Sequence, residues 1–205
     1  MSMSSGPYRA RGRSDRSRRT RDRIKQAVHE LLAEGGFHTA AVEEVAARAG
    51  VSRATLYQHF RSRIELVDAI CETFDENPAL LRLRETVELA DAGEALAETL
   101  ALTVRFWSSE NGVLSQLYGV AAVDPAARAL VERQRTDRRG EYDRLVGNLK
   151  RTGRLGDGVT PERGLALLMM LSSYESYPEL RASGLSDRQV TALLQETARR
   201  LVLRV

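Results

Sequence analysis

Apolar residues recur at every third or fourth position along most of this chain, which is the spacing expected of helices that bury one face. The first clear stripe, ahead of a helix-ending pair of glycines, is Ile24, Ala27, Val28, Leu31 and Leu32. Neither the strict alternation typical of strands nor a repeat of fixed length is found in the sequence. The pattern therefore predicts an all-α protein of about nine or ten helices.

Capping residues and helix breakers set the limits of the predicted helices. Ser52, Asp91 and Ser186 suit helix N-caps, and Pro125 and Pro161 suit the first position of a helix. After the first stripe, we expect helices at about residues 42–49, 53–59, 62–77, 79–89, 92–108, 112–122, 125–152, 161–181 and 187–203. The glycine-rich residues 153–158 are expected to form a connecting loop.

The charge of the chain is unevenly distributed. Residues 1–63 contain 13 Lys and Arg against 6 Asp and Glu, whereas the remainder contains 18 against 22. A basic part followed by a mildly acidic part is typical of a nucleic-acid-binding domain joined to a second module. We expect a disordered Arg-rich arm over residues 1–17, a DNA-binding domain over 18–66 and a C-terminal domain over 67–205. The arm either contacts DNA or is only a polar start to the chain.

The run from Val42 to Leu66 carries the most specific local signal. A short helix, a turn that contains Gly50 and a second short helix capped by Ser52 make a helix-turn-helix. Gly50 tolerates the left-handed backbone that ends the first of these helices. The buried seam between the two helices is predicted to consist of Val45, Ala46, Val51, Leu56 and Phe60.

Burial of that seam points the other residues of the second helix outward, and they suit a DNA surface. Arg53 can pair with a guanine edge and Gln58 with an adenine edge, while Ala54 offers a methyl group to thymine. The candidate donors to phosphate oxygens are Thr55, Tyr57, His59 and Arg63.

In these features the chain resembles the TetR family of bacterial regulators. The resemblance covers about residues 20–70 and is most specific in AGVSRATLYQHFRSRIEL, Ala49–Leu66. Beyond residue 70 the chain resembles the family only in length, helical content and the character of its last two helices. The resemblance implies a three-helix DNA-binding domain, containing the helix-turn-helix, on a larger helical domain for ligand binding and dimerisation.

The resemblance also implies roles for individual residues. It assigns base reading to Arg53, Ala54 and Gln58, and phosphate contacts to Ser52, Thr55, Tyr57, His59 and Arg63. The chain departs from the family in two places, since the family usually has Lys at Arg63 and two Thr at Ala40 and Ala41. Thr39 is the candidate to replace those threonines, either as a helix cap or as a phosphate donor.

The C-terminal domain is expected to form a homodimer and to bind a small molecule. In the resembled family the last two helices dock against their symmetry mates, which brings two DNA-binding domains to a palindromic operator on double-stranded DNA. The candidate interface residues are Leu165, Leu168, Met169, Ser172, Val190, Leu193, Leu194, Thr197 and Leu201. Alternatively, part of each stripe packs into the core of the monomer, and this is compatible with dimerisation through the rest.

The family further implies an effector pocket within residues 92–174. The candidate lining residues are Phe106, Trp107, Leu114, Tyr118, Tyr142, Met169, Met170 and Tyr174. An apolar pocket with a few hydroxyl groups suits a hydrophobic small molecule, although each of these residues could instead be ordinary core.

These features predict a repressor that a small-molecule effector releases from its operator. The alternatives are an effector-independent or activating regulator, an interaction module that does not bind DNA, and an enzyme. No catalytic triad, metal-ligand spacing or phosphate-binding loop is found in the sequence, so we expect no enzyme, no cofactor and no metal. The lone Cys71 fits core packing or redox sensing. With neither a signal peptide nor a membrane span in the sequence, the expected location is the cytoplasm.

Overall fold

The computed structural model describes residues 7–37 and 39–204, which form eleven α-helices and one 3-10 turn, Phe74–Glu76. The helices are α1 (Pro7–Ala33), α2 (Val42–Arg48), α3 (Arg53–His59), α4 (Arg63–Thr73), α5 (Pro78–Thr86), α6 (Ala92–Ser109), α7 (Asn111–Ala121), α8 (Pro125–Arg151), α9 (Pro161–Leu171), α10 (Ser176–Ala182) and α11 (Asp187–Val202). The only β pairing among the described residues is an isolated bridge between Leu155 and Leu203. The all-α prediction is therefore confirmed.

Helices α1 to α4 pack together at the N-terminal end of the fold and are called the head below. Gly50 has a φ of +63°, the left-handed conformation that the turn after α2 requires. The Ser52 hydroxyl caps α3 by accepting a hydrogen bond from the Thr55 amide at 3.0 Å. Leu56 and Phe60 are buried in the apolar core, and the partly buried Val51 packs against this core.

Helix α1 extends further toward the N-terminus than the sequence suggests. It begins at Pro7, so residues 7–17 of the expected disordered arm are helical in the structure. Arg and Ser have no apolar periodicity here, and composition alone does not separate an exposed polar helix from disorder. Residues 1–6 of the arm lie outside the described residues.

Helices α5 to α11 follow and are called the body. Helix α6 packs against α5 and α11, while α8 packs against α7 and α9. Tyr142, Leu145 and Leu149 of α8 are fully buried in the middle of this arrangement. None of the described helices is both long enough and apolar enough to cross a membrane.

The helix expected over residues 161–181 is two helices, α9 and α10. Helix α9 ends at Leu171, where the carbonyl of the buried Ser172 accepts a hydrogen bond from Nη1 of Arg138 at 2.8 Å. The bend that follows directs the buried Tyr174 toward α7, and its hydroxyl donates to Oδ1 of Asn111 at 2.7 Å. These contacts come from distant parts of the chain and outweigh the local helical pattern.

The head contacts the body at two places. Helix α1 packs against the start of α7, where a Cβ on Gly112 would lie only 2.7 Å from Cα of Ala33. Helix α4 packs against α8, and Asp68 forms a salt bridge with Arg133 there. A change in the position of α7 or α8 would therefore alter the contacts that hold the head.

Candidate functional site

The solvent-facing side of α3 contains every residue predicted to contact DNA from that helix. Arg53, Ala54, Gln58 and the N-cap Ser52 are exposed, and Tyr57 is 41% exposed, which is unusual for a large aromatic side chain. Thr55 and His59 are half-buried at the edges of this face.

Arg53 is held by a neighbouring carboxylate in the unbound protein. Its Nη1 lies 2.5 Å from Oε1 of Glu43 on α2, and its guanidinium lies 5.6 Å from the centre of the Tyr57 ring. Both side chains of the ion pair are more than half exposed, so the pair is weak and can exchange for a base or a phosphate.

A contact missed by the sequence reasoning fixes the C-terminal end of α3. Arg21 of α1 places its guanidinium 4.3 Å from the centre of the Phe60 ring, and its Nη1 donates to the His59 carbonyl at 3.2 Å. Arg21 therefore helps to position α3 and is not simply a solvent-exposed charge. Nothing in the local spacing of the sequence indicates this pairing across 38 residues.

Arg63 lies beside the same surface but is partly used within the head. Its Nη1 donates to the Ala40 carbonyl at 2.9 Å, and its guanidinium stacks 4.3 Å from the centre of the Phe37 ring. Burial lowers the pKa of Arg63 from its ordinary value. Arg63 is thus a positioned cation whose remaining donors can face a phosphate.

The suggestion that Thr39 caps α2 is wrong. The N-cap of α2 is Ala41, and the Thr39 hydroxyl donates to the Gly36 carbonyl at 3.1 Å instead. Thr39 stays exposed beside the helix-turn-helix, so only the phosphate-donor prediction remains open for it.

A second candidate site is a cavity of about 100 Å³ in the body, between α5, α6, α7 and α8. The structure brings six of the eight predicted pocket residues to its wall, namely Phe106, Trp107, Leu114, Tyr118, Tyr142 and Tyr174. Hydrogen bonding orients Tyr142, whose hydroxyl lies 3.1 Å from Oγ1 of Thr103. Burial is the main cause that raises the pKa values of Tyr118 and Tyr142, so both are neutral donors at ordinary pH.

Two of the predicted pocket residues lie elsewhere. Met170 is 59% exposed on the outer face of α9, and neither it nor the half-buried Met169 is among the described residues that line the cavity. Sequence reasoning instead missed the arginines Arg84, Arg135 and Arg138, which do line it. These arginines lie among other charged residues in their helices, a pattern typical of a solvent-exposed face, so the sequence did not indicate that they line a pocket.

The predicted dimer stripe divides into core and surface. Leu165, Leu168, Ser172, Val190 and Leu194 are buried within the single chain, so they cannot also form the face of an interface. Leu193 and Leu201 of α11 are each 43% exposed, and Met169 and Thr197 are half-buried. The exposed Met170 lies on α9, which packs against α11. A period of 3.6 residues identifies apolar faces but not the elements that cover them.

The remaining chemical groups give no further site. Cys71 is buried, and burial raises the pKa of its thiol to about 12, which agrees with core packing rather than redox sensing. Within residues 7–37 and 39–204 there is no group of three His, Cys, Asp or Glu side chains suited to a metal ion.

The structure thus joins a helix-turn-helix with an exposed α3 to a helical body that encloses a cavity. Residues 24–70 match the family of bacterial regulatory proteins called the tetR family. The head of this chain is therefore similar to the N-terminal domain of the TetR family. Beyond residue 70 the similarity to known regulators is mainly one of fold.

Among curated proteins, the regulator UidR of Escherichia coli K12 is 27% identical over 113 residues, which cover 55% of this chain and 57% of UidR. The chain thus matches little more than half of that relative's length. The transcriptional activator FasR of Mycolicibacterium smegmatis is 40% identical over 57 residues, which cover 28% of this chain and 26% of FasR. Both relatives are named as regulators, in agreement with the expectation that the chain is not an enzyme.

Solved structures extend the similarity over the whole fold. The structure of SmeT in complex with triclosan matches with a TM-score of 0.70 at 16% identity, and the match covers 90% of this chain and 92% of SmeT. At this identity the match establishes the arrangement of the helices in the body as well as in the head, and nothing about the ligand of this chain.

Proposed function

We propose that the protein is a DNA-binding transcriptional regulator that reads its operator with α3. The observation that carries this proposal is the exposed face of α3, on which Arg53, Tyr57 and Gln58 stand outward from a helix fixed by the buried Leu56. A bidentate arginine suits a guanine edge, and a glutamine suits an adenine edge. Ser52, Thr55, His59 and Arg63 surround these residues with donors suited to phosphate.

The regulator would act as a homodimer on a palindromic operator. One head reads only a few base pairs, and two-fold pairing adds affinity and sets the spacing between half-sites. The exposed apolar residues Met170, Leu193 and Leu201 on α9 and α11 favour this face as the surface of association.

The cavity of the body would take the small-molecule effector, and its binding would release the protein from DNA. Helix α8 lines the cavity with Tyr142 and carries Arg133, which is paired with Asp68 of α4. A ligand that favours one position of α8 would therefore favour one position of the head. The size of the effect is limited by the difference in ligand affinity between the two positions.

A shift assay with operators selected from random duplexes tests the DNA-binding proposal. Replacement of Arg53 by Ala should relax preference at one base position by about 1–3 kcal/mol, whereas Tyr57→Phe should weaken binding to all sequences alike. The matched control is Arg82→Ala, which removes an exposed arginine of α5 that pairs with Glu98. If both head variants bind selected and random duplexes as the unchanged protein does, α3 is not the reading helix.

A further inference from the structure

The cavity contains one arginine whose charge is unmatched. Arg138 of α8 forms no salt bridge with any carboxylate in residues 7–37 and 39–204, and its Nη1 donates a hydrogen bond to the Ser172 carbonyl at 2.8 Å. Its Nε is buried and has no hydrogen-bond partner among the same residues. A buried guanidinium nitrogen without an acceptor is costly, so a partner for it is expected when the site is occupied.

The carboxylates near the cavity are mostly engaged with other arginines. Asp75 lies 2.5 Å from Nη2 of Arg84, and Glu141 pairs with Arg84 and Arg144. Asp137, which also lines the cavity, is exposed. Arg138 therefore presents to the cavity a positive charge that the surrounding acidic groups do not neutralise by direct contact.

The rest of the wall is aromatic and apolar. Tyr118 and Tyr174 lie with ring centres 5.0 Å apart, and Trp107 and Phe106 lie on the same wall. The cavity of about 100 Å³ is smaller than the engineered apolar cavity of about 150 Å³ that holds benzene. A ligand of one ring fits this space better than a steroid-sized molecule.

On these grounds, and resting on the effector role proposed above, we propose that the cavity binds a small monocyclic aromatic carboxylate. The carboxylate is bound by the guanidinium of Arg138, and the ring lies against Trp107 and Tyr118. A single planar guanidinium matches the two oxygens and the single charge of a carboxylate. A phosphate dianion would leave one negative charge unmatched, because Arg84 and Arg135 are already paired with carboxylates.

Fluorescence of Trp107, the only tryptophan in the sequence, tests this assignment on the free protein. The probes are benzoate and benzamide, which have nearly the same shape but differ in charge. Benzoate should bind at least about tenfold more tightly than benzamide, and Arg138→Gln should abolish that difference. Arg135→Gln is the control, because Arg135 also lines the cavity but is exposed and pairs with Glu132.

Circular dichroism and thermal melting establish that each variant is folded. If Arg138→Gln does not fold, Arg138→Lys replaces it and should keep the preference for benzoate at lower affinity, since the charge remains but the planar fork is lost. Equal binding of benzamide and benzoate, an unchanged preference in Arg138→Gln, or no binding of either probe would overturn the assignment. If benzoate binds through Arg138 but leaves operator affinity unchanged, the ligand class stands and the proposed effector role fails.

Discussion

His29 of the head and Glu110 of the body form a hydrogen-bonded pair, with Nε2 of His29 lying 3.0 Å from Oε2 of Glu110. The same carboxylate also accepts a hydrogen bond from Nδ2 of Asn77 at 3.1 Å, through Oε1. Glu110 precedes Asn111 and Gly112, where α7 begins against α1. The junction between the domains therefore contains a group that titrates near neutral pH.

The contribution of this pair to stability should depend on pH. The hydrogen bond with Glu110 raises the pKa of His29 above its ordinary value of 6.5, although burial opposes the shift. A raised pKa means that the stabilisation is complete at low pH, when His29 is charged in both states, and is lost as pH rises through the folded-state value. In urea unfolding, His29→Gln should lower the free energy of unfolding more at about pH 6 than at about pH 8.5. The difference between the two pH values should be less than about 1 kcal/mol.

Glu110→Gln is the control for that measurement. In a Glu110→Gln background the acceptor charge is gone, so replacing His29 should have the same effect at both pH values. A cost of His29→Gln in the unchanged protein that does not vary with pH would contradict the coupling.

Gly112 should tolerate no side chain. A Cβ there would lie 2.7 Å from Cα and 2.8 Å from the carbonyl oxygen of Ala33, and backbone cannot move aside as a flexible side chain can. We expect Gly112→Ala to lower the free energy of unfolding by about 1–3 kcal/mol.

Gly119 on the same helix is the matched control, since a Cβ there meets nothing within 4 Å. Gly119→Ala should stabilise the protein by up to about 1 kcal/mol, because alanine is the better helix former. Thermal melting of the two variants measures the contrast, and equal effects would show that helix propensity alone acts at both positions.

Release of Arg53 from Glu43 should strengthen DNA binding. The 2.5 Å ion pair competes with a base or phosphate for the same guanidinium. We expect Glu43→Gln to raise operator affinity by about two- to fivefold in fluorescence anisotropy, in line with the modest worth of an exposed pair.

Glu44→Gln separates this effect from the general loss of a negative charge near DNA, because Glu44 is the adjacent exposed carboxylate of α2. Equal gains in the two variants would argue that Arg53 is not restrained by Glu43 in the unbound protein.

A charge placed at Leu193 should separate the proposed dimer. Leu193 is 43% exposed in the single chain, and an aspartate buried there between two copies would have no partner. We expect Leu193→Asp to raise the dissociation constant of the dimer by at least about tenfold in sedimentation equilibrium. Leu81→Asp, at a 47% exposed position of α5, should leave association unchanged. An unchanged dimer in Leu193→Asp would locate the interface elsewhere.

Short-range patterns in the sequence predicted the head well, and long-range contacts explain where prediction of the body failed. Leu56 and Phe60 lie close along the chain to the turn that orients them, so their spacing alone indicates burial. Arg138 is positioned by its hydrogen bond to the Ser172 carbonyl, 34 residues away, and no local pattern encodes that contact. Leu168 has the same periodicity as a surface stripe, yet packing in the body covers it completely.

Cys71 makes the protein convenient for site-specific labelling. It is the single cysteine of the sequence, its side chain is buried, and a thiol pKa of about 12 leaves almost no reactive thiolate near neutral pH. A cysteine introduced at the exposed Ala47 of α2 would then be the site that a maleimide reaches in the folded protein. Spin labels attached there in both copies would report the distance between the two heads in solution, with and without a ligand, while the native cysteine stays in place.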